Sequence, residues 1–107
     1  MRYALIGCGR IATNHMKAAV NNQLEISAVC DVVQEHMEVL LAKHELQNDM
    51  SILRYTDYKS MIQEVKPDLV SIATESGIHA EIALFCIDHG VHVIIEKPMA
   101  MSISDAN

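Results

Sequence analysis

The stretch from Tyr3 to Ala12 constrains this chain more than any other. A short apolar run, Tyr3-Ala4-Leu5-Ile6, leads into Gly7-Cys8-Gly9-Arg10-Ile11-Ala12, where a helical pattern begins. Strand, glycine-rich turn and helix in that order make a dinucleotide fingerprint, with Ala as its last small residue. Gly7 permits the tight turn off the strand, and Gly9 lets a pyrophosphate approach without meeting a Cβ. Ala12 keeps helix and strand close. Cys8, Arg10 and Ile11 complete the candidate phosphate-binding turn; at Cys8, backbone geometry is expected to matter more than sulfur. The helix N-terminus offers unpaired N–H groups and partial positive charge to phosphates.

An acidic residue stands at the matching distance. Asp31 follows the apolar run Ile26–Cys30 and lies 22 positions after Gly9. In the fingerprint an acidic residue about 20 positions on binds the adenosine ribose hydroxyls. The competing reading of Asp31 is a turn or N-cap residue ahead of the next helix. Strand, glycines and spacing together favour the ribose.

The rest of the chain alternates between two periods. Ile11 to Val20 reads as helix, and Glu25 to Cys30 as the second strand. Met37, Leu40, Leu41 and His44 lie on one face of the next helix, with Glu35, Glu38 and Lys43 on its solvated side. Ile52–Tyr55 is a candidate edge strand, and Thr56 or Asp57 can cap the short helix that Pro67 closes. Leu69–Ala73 is a strand apolar enough to be covered on both faces. Ser76 and Gly77 open a helix striped by Ile78, Ile82, Phe85 and Cys86; Gly90 ends it before a fifth strand, Val91–Ile95. This β-α alternation predicts an α/β fold, a doubly wound parallel sheet of the Rossmann type.

Composition limits the partners. A chain of 107 residues, half of them apolar, has room for one small cored domain. A formal charge of −6 argues against nucleic acid or an anionic membrane. No apolar run reaches membrane-helix length, and Gly7 comes too early for a signal peptide. Cys8, Cys30 and Cys86 show no C-x-x-C spacing, so free thiols and a cytoplasmic location are expected. Ser102-Ile103-Ser104-Asp105 has the form of a helix cap, yet only two residues follow. The expectation is that residues 1–107 are the N-terminal domain of a longer enzyme, truncated before a substrate domain.

The order of Gly7–Ala12, Asp31, the Ala73–His79 turn and Glu96-Lys97-Pro98 resembles the glucose-fructose oxidoreductase and inositol dehydrogenase family (Gfo/Idh/MocA). The similarity covers essentially the whole chain, and Glu-Lys-Pro after the fifth strand is its most specific element. The resemblance implies an NAD(P)-dependent oxidoreductase with a second, C-terminal α/β domain that supports substrate binding and oligomerisation. It implies small-molecule substrates: sugars, cyclitols or nucleotide sugars oxidised at a secondary hydroxyl. It also places Lys97 beside nicotinamide and substrate. Where the family often has Thr-Pro-Asn, this chain has Thr74-Glu75-Ser76, which departs from the pattern and adds a carboxylate near the site.

An ammonium at Lys97 can hydrogen-bond a developing alkoxide, with Glu96 positioning it and Pro98 stiffening the loop. The plainer alternative is an exposed Lys–Glu pair that contributes little. Thr74, Ser76, Glu96 and Lys97 join Gly7, Cys8, Gly9, Arg10, Ile11 and Asp31 as candidate cofactor contacts. His79, one turn into its helix, either contacts ribose or phosphate or packs on the helix face. The other histidines show no ligand-like clustering, and no metal is expected. The methionines read as core filler. NAD is favoured over NADP, since Asp31 is followed by Val32 and Val33 with no nearby cation. Two rivals stay open: an NAD-sensing module without turnover, and a methyltransferase, which would want an acidic residue where Leu5 and Ile6 stand.

Overall fold

A computed structural model describes residues 1–9, 12–73 and 79–95, with His79 described by its backbone. The elements run β1 (Arg2–Ile6), α1 (Ala12–Asn21), β2 (Glu25–Cys30), α2 (Gln34–Lys43) and β3 (Leu53–Tyr55). They continue as α3 (Tyr58–Val65), β4 (Leu69–Ile72), α4 (His79–Asp88) and β5 (His92–Ile95). All strand pairs are parallel, and the sheet order is β3-β2-β1-β4-β5. The expected doubly wound α/β fold is what forms, with β3 at an edge.

Period-two alternation on β1 divides the core. Tyr3 and Leu5 join Met16, Met37, Leu40 and Leu41 under α1 and α2. Ala4 and Ile6 face the other way, with Met61, Ile62, Ile82 and Cys86 under α3 and α4. Both faces of β1 are thus covered, so its run is apolar without a break.

Local chemistry sets the ends of the elements. Asp57 is the cap of α3, its side chain accepting the Lys59 N–H at 3.1 Å. Gly90, at φ +75°, closes α4 in the left-handed region that glycine enters freely. α2 begins without a side-chain cap, Val33 being its N-cap residue. One expectation needs correcting. Met1 and Met50 are exposed, since they sit outside the periodic apolar stripes; only Met16, Met37 and Met61 are buried among the described methionines. Cys8 is buried as well: its thiol donates to the Cys30 carbonyl at 3.5 Å, and its backbone N–H donates to the Asp31 carboxylate at 2.8 Å.

Candidate functional site

Sheet hydrogen bonding continues past the strand ends and fixes the residues that follow. The Gly7 N–H donates to the Cys30 carbonyl at 2.7 Å, and the Ala73 N–H to the Ile6 carbonyl at 2.8 Å. The Asp31 N–H donates to the Tyr55 carbonyl at 3.0 Å. Gly7, Asp31 and Ala73 therefore stand in a row along the carboxyl edge of the sheet. There the strand order reverses between β1 and β4, the point at which open α/β sheets bind ligands.

A crevice of about 480 Å³ opens at this edge. Its floor is Ile6, Gly7 and Gly9, one wall is Asp31–Val33 with His36, and the opposite wall includes Tyr58 and Glu81. Gly7 leaves β1 at φ +94°, a conformation that other residues enter only under strain. Gly9 is different. Among the described residues a Cβ built there meets nothing within 4 Å, so their packing does not itself demand glycine. The free space above Gly9, at the floor of the crevice, suits a backbone approached closely by a pyrophosphate. The Ala12 N–H bonds the Gly9 carbonyl at 3.1 Å, joining the turn to α1. These residues fit a dinucleotide.

Asp31 is the polar centre of the crevice. Its Oδ2 accepts the Cys8 N–H at 2.8 Å, and its Oδ1 accepts the Val33 N–H at 2.8 Å. Oδ2 also lies 3.3 Å from Nδ1 of His36. A carboxylate offers about four acceptor positions, so capacity remains for a hydroxyl of a bound ligand. The bond to Val33 is the turn role that competed for this residue; the carboxylate also lines the crevice, so the two roles are compatible.

The neighbouring thiols are not nucleophiles. Burial pushes the Cys30 thiol up to about 12, with the Asp31 carboxylate adding to the shift. Cys8 is raised further for the same reasons, burial first. Both stay protonated at neutral pH, where only a thiolate would react. On the opposite wall the Tyr58 hydroxyl donates to Glu81 Oε2 at 3.2 Å, and burial followed by that carboxylate raises the phenol's pKa.

The structure thus brings together Gly7, Cys8, Gly9 and Asp31. His79 begins α4, the helix that contributes Glu81 and Ile82 to the crevice. Arg10, Ile11, Thr74, Ser76, Glu96 and Lys97 lie outside the described residues, as do Glu75, Ile78, Pro98 and the Ser102–Asp105 cap pattern. Sequence reasoning missed His36, whose only signal was its place in the first turn of α2, five residues after Asp31.

Comparison with known proteins follows the same lines. The family model GFO_IDH_MocA, described as oxidoreductase family with an NAD-binding Rossmann fold, matches residues 1–107. D-glucoside 3-dehydrogenase of Escherichia coli is 33% identical over 99% of this chain and 29% of its own length. Glycosyl hydrolase family 109 protein 2 of Akkermansia muciniphila is 32% identical over 98% of this chain and 23% of its own. Among solved structures, the WlbA dehydrogenase of Chromobacterium violaceum, in complex with NADH and UDP-GlcNAcA, superposes with a TM-score of 0.78 at 31% identity. That match covers 92% of this chain and 28% of the other. An Agrobacterium radiobacter oxidoreductase, in complex with NAD+, L-tartaric acid and magnesium, gives 0.79 at 31% identity, covering 99% and 30%. The chain spans less than a third of the length of each of these proteins.

Proposed function

The chain belongs to the Gfo/Idh/MocA oxidoreductase family as its NAD-binding Rossmann domain, and on that premise we propose how its residues serve the whole enzyme. NAD lies along the carboxyl edge of the sheet, its pyrophosphate over Gly7–Gly9 and its adenosine ribose at Asp31. The observation that carries this reading is the joined geometry of turn and carboxylate. Gly7 turns off β1 at φ +94°, and the Asp31 carboxylate holds the next N–H at 2.8 Å. When bound, NAD supplies the hydride acceptor for oxidation of a secondary hydroxyl.

The whole enzyme acts on a sugar, cyclitol or nucleotide sugar; the dehydrogenases similar to this chain support that substrate class. Lys97 contacts the reacting hydroxyl and hydrogen-bonds its developing alkoxide, with Glu96 holding the ammonium in place. Residues 1–107 form one domain, and the substrate walls belong to the remainder of a longer, cytoplasmic and homo-oligomeric protein. On this reading the 107-residue chain binds NAD without sustained turnover. In the whole enzyme Lys97→Ala lowers turnover about 100- to 1000-fold with NAD affinity nearly unchanged.

Gly9→Val tests the cofactor site directly. Among the described residues a Cβ at Gly9 meets nothing within 4 Å, so the fold should accept the side chain while the pyrophosphate loses its approach. The expected result is an unchanged melting temperature with NAD binding abolished in titration calorimetry. Unchanged binding would remove the pyrophosphate from this turn.

The glycosyl hydrolase named above supports a second reading, which keeps the crevice and NAD. Net hydrolysis is redox-neutral, so a hydride removed from the sugar must return to it before product leaves. Accumulation of NADH with substrate separates the readings: net oxidation builds it up, and hydrolysis does not.

A further inference from the structure

We propose that His36 sets how strictly the crevice discriminates against the 2′-phosphorylated cofactor, and that its charge does so. The inference rests on the adenosine ribose lying at Asp31, as proposed above. His36 Nδ1 is 3.3 Å from Asp31 Oδ2, the oxygen that also accepts the Cys8 N–H. The imidazole is half exposed, whereas the Asp31 side chain is only 11% exposed. His36 therefore forms an outer lip of the crevice beside the ribose carboxylate.

Its surroundings make its charge decisive. Among the described residues lining the crevice, His36 alone can become cationic. The other titratable groups there are Asp31, Glu81, Tyr58 and the Cys30 thiol, and Asp57 caps the helix of the facing wall. Glu35 shares the first turn of α2. Val32 and Val33 contribute no charge. With His36 neutral, this lip is purely acidic and repels a 2′-phosphate. Once protonated, both ring nitrogens donate: Nδ1 toward Asp31 and Nε2 toward the phosphate. Discrimination against NADP is strict at high pH and relaxes as pH falls.

The phosphate itself titrates near pH 6, so the slope of the unmodified chain cannot be assigned alone. His36→Gln keeps a donor for Asp31 without titrating, and His36→Lys is cationic throughout. The experiment is titration calorimetry of NAD and NADP against all three chains at about pH 8 and about pH 5.5. The NADP-to-NAD ratio of dissociation constants should fall on acidification about five-fold more in the unmodified chain than in His36→Gln. At pH 8, His36→Lys should bind NADP more tightly than the unmodified chain does. Equal slopes in the unmodified chain and His36→Gln, with NAD binding intact, overturn the role of His36 and leave the crevice standing. No improvement with His36→Lys at pH 8 overturns it equally. Absence of NAD binding at either pH removes the crevice reading, and this inference with it.

Discussion

The Asp31 carboxylate accepts the Cys8 backbone N–H at 2.8 Å, tying the turn after β1 to the turn after β2. One side chain thereby holds the glycine-rich turn in shape and presents a charge to the crevice. Crevice lining and architecture share a residue, so changing it is expected to have two separable consequences.

Asp31→Ala should destabilise the fold and weaken NAD together. Hydrogen bonds to a charged group contribute about 1.5–3 kcal/mol, and this substitution removes those to Cys8 and Val33. Urea unfolding should show a loss of that order, and calorimetry an NAD affinity lowered at least about ten-fold. Asp31→Asn keeps one acceptor and should recover much of the stability but little of the affinity. A variant that loses stability alone would assign Asp31 to the turn only.

The three thiols should resist alkylation while the chain is folded. Cys8, Cys30 and Cys86 are free and buried, and burial holds Cys30 near 12 and Cys86 near 11. At about pH 8 almost none is thiolate. Mass spectrometry after iodoacetamide treatment should find no adduct on these residues natively and three in urea. Rapid native labelling of Cys8 would mean that the glycine-rich turn opens.

What was legible beforehand divides by sequence distance. The glycine turn, the Asp57 cap and the apolar strand runs are local signals, and each appears where its chemistry asks. The bond from Cys8 to Asp31 spans 23 positions and exists only once β1 and β2 pair. The same pairing buries the Cys8 sulfur, which its place in a glycine turn did not announce. His36 went unnoticed because its meaning comes from the orientation of α2 against the sheet edge. Met50 misled because an apolar residue outside any period carries no directional information.

Acid should weaken the fold in part through His44. Burial, then the charges of Lys17 and Lys43, lowers its pKa below the ordinary 6.5. The folded state thus disfavours the protonated ring relative to the unfolded chain. The contribution is fully present above about pH 6.5 and is lost as pH falls through the lower folded value. Urea midpoints at about pH 7.5 and pH 5.5 should differ less for His44→Gln than for the unmodified chain. Equal differences would place the acid sensitivity elsewhere.

The 107-residue chain should self-associate through the flank beyond β5. Ile82 and Cys86 of α4 point into the core, and Phe85 meets Tyr58 of α3 edge-to-face at 5.6 Å. Helical spacing turns Leu84 and Ile87 to the other flank, where they are 62% and 60% exposed. Ile94 and Ile95 are also exposed, on a strand whose one described neighbour is β4. Sedimentation should show a dimer or larger species, and Leu84→Glu with Ile87→Glu should return a folded monomer. A monomeric unmodified chain removes this surface from consideration.

Cofactor choice can be measured on the same chain. Asp31 lines the crevice, the apolar Val32 next to it is 83% exposed, and no Lys or Arg stands between Asp31 and His36. The carboxylate can accept ribose hydroxyls through charge-assisted bonds worth about 1.5–3 kcal/mol. A 2′-phosphate in the same place forfeits those bonds and adds repulsion and desolvation. At about pH 8, NAD should bind tighter than NADP by roughly ten-fold to a few hundred-fold, at 1.4 kcal/mol per decade. Combining Asp31→Ser with Val32→Arg should narrow or reverse the preference. The exposure of Val32 means the arginine itself costs the fold little, so lost stability in the double variant should trace to Asp31. Titration calorimetry of both cofactors against both chains decides it. Equal affinities in the unmodified chain would take the ribose away from Asp31 and leave that carboxylate a purely structural clasp.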